Sequence, residues 1–175
     1  MSDHDISMAA QRRAARIKLL LTDCDGVLTD GGVYYSENGE ALKRFNIRDG
    51  MGVERLRALA GVETGIVTGE RSPSVKKRAE KLAISECHLG SKDKDAVLGS
   101  ILERLGLHPD EVAYIGDDVN DLPAFARAGL TACPADAVDE IKAVADIILK
   151  KNGGHGAFRE FSEIIIKACC TISPQ

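Results

Sequence analysis

The chain has 175 residues, 44% of them hydrophobic and 29% charged, with a net charge of −4; these are the proportions of an ordinary globular domain, with enough length for one core. The negative balance argues against the basic footprint of a nucleic-acid or anionic-membrane binder, and no apolar run approaches the ~18 residues that span a bilayer. Five cysteines (Cys24, Cys87, Cys133, Cys169, Cys170) are odd in number and lack metal-type spacing, so reduced thiols and a cytoplasmic location are expected.

Residues 1–16 read as a polar tail with a helix expected at its end. Arg12, Arg13 and Arg16 are not followed by an apolar h-region, which argues against a secretory signal. Residues 17–170 read as a single domain. It opens with the apolar run 17–21, the pattern of a strand covered on both faces. Two strand-like runs, 33–36 and 41–45, flank Glu37-Asn38-Gly39-Glu40; Asn-Gly there signals a hairpin whose two turn residues both favour positive φ. The hairpin, about 32–46, interrupts an otherwise alternating chain and reads as a flap or contact surface. The pattern is regular from there: helix 52–59, strand 63–67 closed by Thr68-Gly69, and a basic helix to about 82 in which Ser72 is the N-cap and Pro73 the first helical residue. Strand 87–89, helix 93–105, strand 112–115, helix 122–128, strand 130–133, helix 138–144 and strand 147–149 follow. Gly153-Gly154-His155-Gly156 reads as a flexible break before a last amphipathic helix, 158–169. The alternation predicts an α/β fold, a doubly wound, mostly parallel Rossmann-like sheet with helices on both faces and a β-hairpin flap after the first strand.

Chemistry gathers at the strand ends. The first strand runs into Asp23-Cys24-Asp25-Gly26; alone, this fits an acidic turn as well as an active site. Thr68 closes a second strand, and Gly116-Asp117-Asp118-Val119-Asn120-Asp121 a third. A doubly wound sheet lines such ends along one edge. Carboxylates packed there repel one another, and a hard cation is the usual remedy; Mg²⁺ takes few protein carboxylates and keeps waters that a phosphate can replace. With Thr68, the N–H groups of Gly26 and Gly69, and a lysine, the set suits the spread charge of a transferring phosphoryl group. Lys94, at a helix start, is the candidate lysine, with a solvated surface residue as the alternative.

These motifs, Asp23-x-Asp25-Gly26, Thr68-Gly69, Lys94 and Gly116-Asp117-Asp118-x-x-Asp121, resemble in order and spacing the four motifs of the haloacid dehalogenase superfamily. The lack of a large insertion is similar to its capless members. The hairpin after Asp30-Gly31-Gly32, Phe45-Asn46-Ile47-Arg48-Asp49-Gly50 and Gly153-Gly154-x-Gly156-Ala157-x-Arg159-Glu160 resemble the 3-deoxy-D-manno-octulosonate 8-phosphate phosphatase family and its nonulosonate 9-phosphate relatives. The resemblance implies a Mg²⁺-dependent phosphatase in which Asp23 attacks phosphorus and Asp25 protonates the leaving sugar oxygen, then activates water. It also implies Mg²⁺ on Asp23, Asp117 and the carbonyl of Asp25, phosphoryl oxygens on Thr68, Gly69, Gly26 and Lys94, and Asp118, Asn120 and Asp121 in support.

Glu70, Arg78 and Lys81 resemble the substrate-contacting set of the nine-carbon enzymes, such as those acting on KDN 9-phosphate or N-acetylneuraminate 9-phosphate, whereas Ile47-Arg48-Asp49-Gly50 resembles the eight-carbon group. Arg78 and Lys81 share a helical face, which charge pattern alone explains as a solvated basic face. The family further implies a homotetramer in which neighbouring subunits close the site; aromatic Tyr34, Tyr35 and Phe45 on the flap fit an interface. A receiver-like phospho-signalling domain is the alternative of another class, but it has no use for Asp25.

Overall fold

The computed structural model describes residues 6–172; the first five residues of the expected tail lie outside them. The remainder of that tail is not loose. Helix α1 (Met8–Ala14) is capped by the Ser7 side chain, which accepts from the Ala10 N–H. It buries Ala10 and Ala14, and Arg13 grips Asp146 at 2.6 and 3.0 Å and the Gly129 carbonyl at 2.9 Å.

Six parallel strands form the sheet: β1 (Leu19–Thr22), β4 (Glu63–Thr68), β5 (Glu86–Leu89), β6 (Val112–Ile115), β7 (Leu130–Cys133) and β8 (Ile147–Ile148), in the order β5-β4-β1-β6-β7-β8. The chain steps from β1 outward through β4 to β5, then crosses back to β6 on the other side of β1. Strand order therefore reverses at β1, where open α/β sheets leave a crevice at the carboxyl ends.

Period-two alternation builds a core on each face. Leu20, Ile66, Ala113 and Ile115 point to one cluster, covered by α1, α2 (Ile47–Ala60), α3 (Pro73–Lys81) and α7 (Ala157–Ile172). Leu19, Leu21, Val67, Val112 and Tyr114 point to the other, under α4 (Lys94–Leu105), α5 (Leu122–Arg127) and α6 (Asp139–Lys142). Helix α2 begins at Ile47, one turn before the expected residue 52, because the Asn46 side chain accepts from the Arg48 N–H and caps it.

The flap is the antiparallel pair β2 (Tyr34–Ser36) and β3 (Gly39–Leu42). Its turn differs from the expected one: Gly39 has φ of +101° but Asn38 is not among the residues with positive φ, so one glycine alone absorbs the reversal. The glycine run near residue 153 is also not a flexible break. Gly153 and Gly154 are buried turn residues, and a Cβ at Gly153 would come 1.8 Å from the Gly26 carbonyl oxygen. The segment packs backbone to backbone behind the loop that follows β1.

Phe161, fully buried between α2 and the sheet, sets the size of a core defect. Phe161→Ala is expected to lower unfolding free energy by about 3–5 kcal/mol, while Tyr35→Ala on the exposed flap edge changes it by less than about 0.5 kcal/mol. Urea titration reads both. Equal costs would contradict this layering.

Candidate active site

Asp23 extends β1 by one residue: its N–H donates to the Ile115 carbonyl at 2.9 Å, so the sheet ladder itself positions it. Its carboxylate is clamped. Oδ1 accepts from the Cys24 N–H at 2.7 Å and Oδ2 lies 3.1 Å from Lys94 Nζ. Gly26, three residues past the strand's continuation, has φ of +83°, and a Cβ there would come 1.9 Å from Asp117 Oδ2. Glycine is required on both counts, conformation and room for the acid after β6.

Asp117 follows β6 across the crevice. Its Oδ1 is buried with no hydrogen-bond partner, a costly condition for a carboxylate that nothing neutralises. Asp121 is in the opposite condition. Its Oδ1 accepts from Lys94 Nζ at 2.5 Å and the Tyr114 hydroxyl at 2.7 Å, and its Oδ2 from the N–H groups of Asp117 at 3.0 Å and Asp118 at 3.4 Å. Carboxylate oxygens of Asp23, Asp117 and Asp121 lie within 4.8 Å of one another. Protein donors already satisfy Asp121, so Asp23 and Asp117 are the acids whose oxygens a hard divalent cation fits.

Lys94 is 1% exposed and bridges Asp23 to Asp121. The solvated-surface alternative for it is therefore wrong, and its position between the two acids differs from a free reach to phosphate. Asp118 caps the short 3₁₀ turn after it through the Val119 N–H at 2.7 Å. Thr68 ends β4, 1% exposed, and its Oγ1 accepts from the Glu70 N–H at 3.3 Å, turning the loop toward the cleft. A cleft of about 370 Å³ is lined by Asp23, Asp25, Thr68, Glu70, Asp117 and Asn120 among others, with the backbones of Gly26 and Gly69 at its wall.

Not every expected residue joins it. Arg78 and Lys81 do not line the cleft within this chain. Arg78 donates to the Asn46 carbonyl at 3.0 Å and covers the Phe45 ring at 5.6 Å, bracing the start of α2, while Lys81 is exposed. Ser72 occupies the N-cap position of α3 but makes no cap hydrogen bond; its hydroxyl donates to Glu40 on the flap. One residue escaped the sequence reading altogether. Lys43, just past β3, contacts Asp25 Oδ1 at 2.6 Å. Its parity with the half-buried Phe45 in the run 41–45 was the available signal.

Electrostatics follow from this crowding. Burial, reinforced by Asp121 and opposed by Lys94, raises the Asp23 carboxyl from 3.8 to about 7. Burial together with Asp23, Asp121 and Asp118 raises Asp117 from 3.8 to about 8. Lys94 is raised too: burial alone would lower it, but Asp23 and Asp121 outweigh that.

The sequence model of the haloacid dehalogenase-like hydrolases matches residues 39–129, and the chain belongs to that family. Within it, the chain is 40% identical to the 3-deoxy-D-manno-octulosonate 8-phosphate phosphatase KdsC of Haemophilus influenzae, over 90% of this chain and 87% of the relative. A cobalt-bound structure of the deoxy-D-mannose-octulosonate 8-phosphate phosphatase from Haemophilus influenzae superimposes with a TM-score of 0.88 at 40% identity, over 90% of this chain and 92% of that one. The Moraxella catarrhalis 3-deoxy-D-manno-octulosonate 8-phosphate phosphatase, in complex with magnesium, phosphate and KDO, does so with a TM-score of 0.88 at 38% identity, over 93% of each chain.

Because Asp23 and Asp117 titrate near 7 and 8 when folded and near the ordinary 3.8 otherwise, the metal-free folded site holds protons that the unfolded chain has released from about pH 4 upward. Stability from this pair is therefore fully present below about pH 4, falls progressively above it, and is completely lost once pH has risen through 7 to 8; a cation on the carboxylates would offset the loss. Thermal melts in chelator and in millimolar Mg²⁺ should show a larger Mg²⁺ gain at pH 8 than at pH 5.5, by about 4 °C or more, equivalent to roughly 1–2 kcal/mol for a chain of this size. Asp117→Asn should erase most of that difference. Equal gains at both pH values in the unsubstituted protein would rule out these carboxylates as the cation's seat.

Proposed function

We propose that the chain is a Mg²⁺-dependent phosphatase hydrolysing the terminal phosphate monoester of a 2-keto-3-deoxy sugar acid. The observation that carries this reading is the convergence of Asp23, Asp25, Thr68 and Asp117 from separate strand ends on one cleft at the sheet's switch point. The magnesium, phosphate and sugar acid held by the Moraxella catarrhalis relative support it. Asp23, Asp117 and the Asp25 carbonyl would hold the ion, which supplies positive charge against the acids and the phosphoryl oxygens.

Asp23 attacks phosphorus, forming an aspartyl-phosphate, while Asp25 gives a proton to the departing sugar oxygen. Asp25 then takes a proton from the water that hydrolyses the intermediate. Thr68, Lys94 and the N–H groups of Gly26 and Gly69 receive the phosphoryl oxygens, with Lys94 also holding Asp23 and Asp121 in place. Asp118, Asn120 and Asp121 support the loop.

The relatives favour the eight-carbon substrate, 3-deoxy-D-manno-octulosonate 8-phosphate. A nine-carbon reading rests on Glu70, which lines the cleft beside Thr68 and Gly69. Arg78 and Lys81 would then serve a neighbouring subunit's cleft in a homotetramer, and the exposed Tyr34, Tyr35, Leu42, Ile47 and Met51 support such an assembly. Five free thiols support a cytoplasmic setting.

Phosphate release from octulosonate 8-phosphate and from nonulosonate 9-phosphates is the direct assay. Asp23→Asn should lower it on the order of 10³-fold or more; a stable phosphoprotein without turnover would instead favour a receiver-like domain. Glu70→Arg should shift the ratio of kcat/KM values between the two substrates by about tenfold. A strong eight-carbon preference that Glu70→Arg leaves untouched would sink the nine-carbon reading.

A further inference from the structure

The flap delivers a cation to the catalytic loop of its own chain. Lys43 has a side chain only 1% exposed, although its neighbours Leu42 and Arg44 are exposed. Its ammonium lies 2.6 Å from Asp25 Oδ1 and 3.2 Å from Glu40 Oε2. Glu40 in turn accepts from the Ser72 hydroxyl at the start of α3. A continuous polar chain thus runs from the helix after Thr68, through the flap, to the second acid of the site. Lysine is rarely buried unless paired, so the pocket that buries Lys43 also fixes where Asp25 Oδ1 points. Thr29 Oγ1 adds a longer contact to the same oxygen at 3.4 Å. The other oxygen, Oδ2, is buried with no partner among the described residues, in a residue that lines the cleft beside Asp23.

Resting on the phosphatase reading of this site, we infer that Lys43 is a positioning residue for Asp25, anchoring Oδ1 so that Oδ2 is the atom that exchanges the proton. In the first step the Asp23–phosphorus bond forms, the bond from phosphorus to the sugar oxygen breaks, and the Oδ2 proton passes to that oxygen. In the second, water oxygen bonds to phosphorus, its proton returns to Oδ2 and the Asp23–phosphorus bond breaks. An alkyl alcohol leaves poorly without the proton, whereas p-nitrophenolate leaves readily as the anion. Misorienting Asp25 therefore slows formation of the aspartyl-phosphate from the sugar ester and hardly from the aryl one, whereas hydrolysis of that shared intermediate slows for both.

The test measures kcat and KM for octulosonate 8-phosphate and p-nitrophenyl phosphate in wild type, Lys43→Met, Lys43→Arg, Asp25→Asn and the Asp25→Asn/Lys43→Met double variant, with thermal melts in Mg²⁺ alongside. Lys43→Met should lower kcat/KM, which reads only the steps up to departure of the leaving group, about 10²-fold on the sugar ester and less than about 3-fold on the aryl ester. Lys43→Arg should recover most of the loss. In the Asp25→Asn background Lys43→Met should cost nothing further, since the two act as one unit. Equal losses of kcat/KM on both esters, or a full additional loss in the Asp25→Asn background, overturns the assignment. If Lys43→Met does not fold, Lys43→Gln against Lys43→Arg carries the same two-ester comparison. Wild-type turnover of the two esters separates the levels: its absence overturns the phosphatase reading and Lys43's part with it, whereas intact turnover that is indifferent to Lys43 overturns only the latter.

Discussion

Buried carboxylates held within 4.8 Å of one another, on Asp23, Asp117 and Asp121, repel strongly in a medium of low polarity, and most of what surrounds them manages that repulsion. Asp121 is quieted by four donors, two of them backbone N–H groups of its own loop. Asp23 is held by Lys94 and the Cys24 N–H. Of these three acids only Asp117 keeps a buried oxygen without a hydrogen-bond partner among the described residues. The cluster is thus stable in outline but short of positive charge at one point, and that point faces the cleft. A folded scaffold carrying this deficit is primed for a cation and for the anionic ester that a cation attracts.

Much of this was legible in the sequence because strand ends are easy to read. Apolar runs such as Leu19-Leu20-Leu21 and Val112-Ala113-Tyr114-Ile115 mark buried parallel strands, and the residues just past them fall on one edge by topology alone. Asp23, Thr68 and Asp117 could be placed together on those grounds. Local rules did less well where tertiary contacts outbid them. Ser72 has the sequence of an N-cap, but its hydroxyl is turned to Glu40. Asn38-Gly39 promises two positive φ values and delivers one. The polar stretch ahead of β1 ends in the expected helix, but its polarity did not announce that Ala10 and Ala14 are buried in the core cluster shared with α7.

The flap was the least legible element, for a physical reason. Its strands are short and exposed, so the parity of Lys43 with Phe45 is the one weak sign of which way its side chains point. Lys43 is the one that matters, and it reads as an ordinary charged residue beside Arg44. Only the folded chain reveals that one of these neighbours is sealed against Asp25 while the other stands in solvent, paired with Asp30. What looks like an appendage is tied to the helix after β4 through Glu40 and Ser72, so the flap is anchored to the wall of the site.

Gly153 and Gly154 lie behind the loop that carries Asp25 and Gly26, with the Gly154 N–H donating to the Val27 carbonyl at 2.9 Å. This support comes from late in the chain, whereas every acid of the cleft has been made by residue 121. During synthesis from the N-terminus, a nascent chain therefore holds all of its reactive carboxylates well before it holds the backbone that shapes them. The loop of Asp25 and Gly26 therefore gains its backbone support only once residue 154 has been made and has docked.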